Sequence, residues 1–148
     1  MRKPLSLLSI RIRKLTLCGL LGALAIILSM LESVLPPIPV MPPGAKLGLS
    51  NLVTMYAAEM LGLVPTLFLA LLKGLFAGVT RGITAFLMSL SGGLSSSLVM
   101  WALLRLKNRP FGYVGLGVAG ALTHNAAQLL VAALLTTPAV WFYIPWLI

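Results

Sequence analysis

The chain is almost continuously apolar, and what most limits its fold is the one long interruption. From Leu35 to Asn51 it reads L-P-P-I-P-V-M-P-P-G-A-K-L-G-L-S-N and holds five of the ten prolines. Each proline removes an N–H donor and clashes with the preceding turn, so this run is not a membrane helix. It lies outside the hydrocarbon or is sheltered by protein. Gly44, Lys46, Gly48, Ser50 and Asn51 close the run where an apolar helix begins. Backbone N–H groups, a helix N-terminus and an ammonium group therefore meet there, as in an anion-binding mouth. The other reading is a stiff connector whose Lys46 meets lipid headgroups.

Composition fixes the surroundings of this loop. Of 148 residues, 59% are hydrophobic and 9% charged, and the mean hydropathy is +1.06, so the chain is a polytopic membrane protein with the lipid bilayer as its main partner. A net charge of +9 would suggest nucleic acid in a soluble protein. Here Arg2, Lys3, Arg11, Arg13 and Lys14 precede the first span and Arg105, Lys107 and Arg109 share one loop, as expected of cytoplasmic flanks. No nucleic-acid partner is implied. The lone Cys18 allows no internal disulfide and reads as a small packing residue.

The pattern predicts an all-α transmembrane bundle forming a single integral membrane domain over residues 1–148: five helices and the start of a sixth. Residues 1–14 are a basic cytoplasmic N-terminus. The first span, Leu15 to Leu35, is a retained helix whose Gly19 and Ala23 form a small-x-x-x-small face, suited to internal packing or to a docking subunit. Glu32 near its end is expected to reach water. Residues 36–49 form the external proline-rich loop.

Ser50 then caps a helix from Asn51 to Leu63, followed by one from Pro65 to Arg81. Both are short against the ~20 residues of a straight span and predict a tilted or partly buried hairpin. Gly74, Gly78 and Gly82 make a ridge for packing or self-association. The fourth span, Ile83 to Leu104, has a small, polar middle, S-L-S-G-G-L-S-S-S, that either packs tightly or lines something wet. The fifth runs from Phe111 to Leu135, and the aromatic tail W-F-Y-I-P-W-L-I suits a membrane interface. With a cytoplasmic N-terminus both basic clusters fall on one side of the cell membrane.

Few ionisable groups lie within these spans, and each needs a reason. Glu59 and Lys73 fall at similar depths around the hairpin turn, which predicts a pair, or else makes Lys73 a ligand contact. Arg81 shares the outer side with Lys46, where it either draws an anionic solute or snorkels to the interface. His124, Asn125 and Gln128 cluster at mid-span, as a hydrogen-bonded helix contact or as the polar part of a solute pocket. The chain has no aspartate and two glutamates, so it cannot build a carboxylate-rich magnesium site. It has no phosphate-binding G-x-x-x-x-G-K-[ST] loop and no metal-ligand spacing. No catalysis, cofactor or metal is expected of it.

Three stretches, P-G-A-K-L-G-L-S-N at 43–51, S-L-S-G-G-L at 89–94 and H-N-A-A-Q-L at 124–129, resemble the membrane family labelled heptaprenyl diphosphate synthase component I, also called the Gx transporter family. The resemblance covers about residues 15–148. Its layout is similar to the substrate-binding S components of energy-coupling-factor transporters, which are six-helix proteins; the present chain lacks a complete sixth helix. The resemblance implies a solute-binding subunit with the proline loop as an outer lid. It also implies that Gly19 and Ala23 dock a transmembrane coupling subunit driven by paired ATPases.

On this reading Lys46, Gly48, Asn51 and Arg81 form the outer, anion-facing part of a site for a small anionic or amphiphilic solute. Ser91, His124, Asn125 and Gln128 form its inner polar part. The alternative is a non-catalytic membrane anchor of a polyprenyl diphosphate synthase.

Overall fold

The computed structural model describes residues 7–34, 48–106 and 112–135. Lys46, most of the proline loop, Lys107, Arg109, the aromatic tail and the expected start of a sixth helix lie outside them. The described residues form five helices: α1 (Leu7–Val34), α2 (Leu49–Met60), α3 (Leu63–Arg81), α4 (Ile83–Leu104) and α5 (Tyr113–Leu135). The helix α1 starts well before Leu15 and carries Arg11, Arg13 and Lys14 within it. Leu, Ile, Arg and Lys all propagate helix and no breaker intervenes, so the basic flank continues the span.

Among the described residues four helices are long and apolar enough to cross a membrane: α1 from Arg11 to Glu32, then α3, α4 and α5. The third helix is therefore long enough for a span, two residues longer than the sequence suggested. The exception is α2, whose 12 residues rise about 18 Å against a hydrocarbon core of about 30 Å. It instead packs one face against the other four helices, with Leu52, Tyr56 and Met60 exposed on the opposite face. Its buried Ser50, Val53, Thr54, Ala57 and Ala58 follow the i, i+3, i+4, i+7, i+8 spacing of one helical face. Val53 and Ala57 join Leu21, Ala25 and Leu69 in the apolar core, and Cys18 packs at its edge. Exposed Leu20, Leu24, Ile27 and Leu31 give α1 a lipid-type outer face.

The most extensive packing is α3 on α4, then α4 on α5. A single residue, Gly82, turns α3 into α4 at φ 89°, a region where side chains are strained. Small residues then let the two backbones close in. A Cβ at Gly74 would lie 3.3 Å from Leu90, one at Gly78 3.0 Å from Phe86, and one at Gly93 3.1 Å from Ala70. The Gly74 and Gly78 ridge is thus used inside the chain and is not a surface for self-association. The polar middle of α4 likewise packs tightly: Ser96 and Ser97 are fully buried and both donate to the Gly93 carbonyl one turn back. At the end of α4, Arg105 stacks on Trp101, 4.7 Å from the ring centroid.

Candidate functional site

One cavity of about 190 Å³ opens where the C-terminal part of α1, the first turn of α2, the end of α3, the start of α4 and the second half of α5 converge. Its wall includes Glu32, Ser50, Asn51, Lys73, Arg81 and His124, with Gly48, Gln128, Ser29 and the start of α4 completing it. The charged and polar groups come from all five helices. The cavity gathers the buried charged residues Glu32 and Lys73.

The first turn of α2 organises it. Gly48 stands at φ 83°, which turns the chain into the helix, and its carbonyl accepts the Asn51 N–H at 2.8 Å. The helix therefore starts at Leu49, two residues earlier than expected, and Ser50 is not its cap. A carboxylate from another helix caps it instead: the Leu49 N–H donates to Oε1 of Glu32. Glu32 is accordingly buried, at 9% exposure, and does not simply reach water as its place near the end of the span suggested. A tertiary contact across 17 positions carries no local signature, so sequence could not have named it.

Freed from capping, the Ser50 hydroxyl accepts the ammonium of Lys73 at 2.8 Å, with both residues buried. Glu59 sits in the last turn of α2, about 13 Å along the axis from Ser50, and accepts the phenol of Tyr113 at 3.0 Å. The bonds thus hold Lys73 and Glu59 at opposite ends of α2, in place of the expected pair. Depth counted from the hairpin turn misjudged the register because α3 starts at Leu63 and α2 stops at Met60.

Of the residues singled out from sequence, the cavity brings together Gly48, Asn51, Arg81, His124 and Gln128. Arg81 is exposed at the mouth, while Asn51 and His124 are buried. Among the described residues, Oδ1 of Asn51 is a buried acceptor with no hydrogen-bond partner. His124 presses on α4: a Cβ at Gly92 would lie 2.8 Å from its ring. Two expected members fall outside. Ser91 donates to the Met88 carbonyl, and Asn125, beside His124 in sequence, is on another side of α5 and is absent from the wall.

Sequence reasoning placed Ser50 at this mouth but missed Glu32, Ser29 and Thr84 as wall residues. Gly19 and Ala23 are exposed on α1, and nothing lies within 4 Å of a Cβ at Gly19. Internal packing of α1 uses Gly22 instead, where a Cβ would meet Leu69 and Leu72 at 3.2 Å.

Four apolar spans and a short half-buried helix that packs against each of them, with a polar cavity where they converge, define a helical multi-pass membrane protein. The chain belongs to the heptaprenyl diphosphate synthase component I family, which it matches over residues 21–148. No curated protein and no solved structure matches it. The chain contains no aspartate, and its two glutamates accept from the Leu49 N–H and the Tyr113 hydroxyl.

Proposed function

We propose that this chain is the membrane accessory subunit of a polyprenyl diphosphate synthase, held in the cell membrane and lending no catalytic group. Membership of the component I family carries this reading. Condensation of allylic diphosphates calls for clustered carboxylates holding magnesium, which a chain without aspartate leaves to its partner. The test is mass spectrometry of proteins that copurify with the gently solubilised full-length chain. An aspartate-rich soluble synthase, recovered in constant ratio, is the expected result. A coupling subunit with paired ATPases in its place would overturn it.

The cavity favours a second reading, a substrate-capture subunit resembling an S component. Buried polar side chains from α1, α2, α3 and α5 around one small space suit recognition of a solute better than simple anchoring. On this reading the N-terminus is cytoplasmic, the cavity faces outward, Lys46 belongs to its lid, and the exposed Gly19 and Ala23 dock the coupling subunit. Small molecules retained by the wild-type protein and lost from a Lys73→Met variant would support it.

A further inference from the structure

We propose that the cavity takes a compact zwitterion, with an anionic group at one end and an N–H donor at the other, as in a small amino carboxylate. This rests on the second reading, that the cavity is a ligand site, and says which molecule fits it.

Size sets the first limit. A dry cavity of about 150 Å³ holds benzene, so about 190 Å³ admits on the order of ten heavy atoms. A polyprenyl tail does not fit within it.

The polar groups then divide into two kinds. Lys73 is 6% exposed and donates to Ser50, whose hydroxyl keeps its own proton for another acceptor. An ammonium and a hydroxyl donor side by side suit an anionic group, and Arg81 at the mouth attracts one. Asn51 is also 6% exposed, lines the same cavity and leaves Oδ1 with no donor among the described residues. A buried acceptor without a partner calls for an explanation, and a ligand donor supplies one. Glu32 decides between anion and zwitterion. Its carboxylate already fills the anion position at the N-terminus of α2 and offsets one of the two cations in the same wall, so the wall balances a single anionic group rather than a polyanion such as diphosphate, and a ligand ammonium is welcomed.

The test measures thermal stabilisation and calorimetric affinity of the full-length protein in lipid nanodiscs. The probes are a panel of amino carboxylates, from glycine to 6-aminohexanoate with the protein amino acids, each beside its carbon isostere with methyl in place of ammonium (pentanoate for 4-aminobutyrate), and inorganic pyrophosphate. At least one amino carboxylate is expected to bind tenfold or more tightly than its donor-free carbon isostere, with no shift from pyrophosphate. Asn51→Leu is expected to abolish that preference without lowering the melting temperature of the free protein. Asn51→Asp, which keeps the acceptor, is expected to retain binding, and it serves if the leucine variant fails to fold.

Equal or tighter binding of the carbon isosteres or pyrophosphate would overturn the zwitterion while leaving a ligand site in place. Silence from every probe on a folded protein would overturn both. Neither outcome bears on copurification with a synthase.

Discussion

The ammonium of Lys73 lies 2.8 Å from the hydroxyl of Ser50, tying the middle of α3 to the first turn of α2. Both groups are buried, so the bond is strengthened by the low local dielectric and expensive to leave half made. A double-mutant cycle of Lys73→Met and Ser50→Ala is expected to give a coupling of about 1.5–3 kcal/mol, the range for hydrogen bonds to charged groups. Ser50→Ala is expected to be the costlier single change, because it strips a partner from a buried charge, whereas methionine fills the lysine stem with apolar volume. Denaturant unfolding in micelles checks this. Strict additivity of the two changes would show that the bond contributes nothing.

The carboxylate of Glu32 performs for α2 the service a cap residue normally gives from within the same helix. Replacing Glu32 by alanine is expected to cost about 1–2 kcal/mol, and by glutamine less, since the amide keeps an accepting oxygen. Hydrogen exchange at Leu49, Ser50 and Asn51 reports it locally. Faster exchange in the alanine variant, with partial protection in the glutamine one, is the expected pattern. Exchange unchanged in both would mean that the first turn of α2 is held by something else.

These two contacts mark where sequence stopped being sufficient. Apolar runs and breakers place the helices, because membrane length and proline chemistry act locally and leave traces in every segment. The wall members Arg81, His124 and Gln128 were legible for a related reason: polar side chains in apolar helices are rare and need a purpose. The bonds of Glu32 and Ser50 were not legible. Their roles follow from which helix end meets which, and α2 meets all four neighbours. Asn125 shows the reverse error, since adjacency in sequence on a helix turns the next side chain by about 100°.

Glycine replacements separate tight contacts from empty ones on the same pair of helices. At Gly92 an added Cβ would come within 2.8 Å of the His124 ring, a planar group with little room to yield. Gly92→Ala is expected to cost about 1–3 kcal/mol as overpacking and to disturb the cavity wall through His124. Gly120→Ala meets Met100 Sδ at 2.7 Å, a flexible side chain that can shift, so a smaller loss is expected. Gly117→Ala meets nothing within 4 Å and is expected to stabilise α5 by up to about 1 kcal/mol. Melting temperatures of the three variants should therefore rank Gly117→Ala, Gly120→Ala, Gly92→Ala from highest to lowest.

On α1 the neighbouring glycines Gly19 and Gly22 face different surroundings, and this gives a test of docking that does not confuse it with folding. Gly22 is buried against Leu69 and Leu72, so Gly22→Leu is expected to destabilise the bundle by 1–3 kcal/mol, the usual order for overpacking. Gly19 and Ala23 are exposed, and leucine at either position is expected to change stability by no more than about 0.5 kcal/mol. If this smooth face seats a partner helix, close approach of backbones is what it offers, and two leucines remove it. The double variant Gly19→Leu, Ala23→Leu is then expected to keep its melting temperature and lose its copurifying partner, whether synthase or coupling subunit. Retention of the partner at wild-type yield would assign the face to lipid alone.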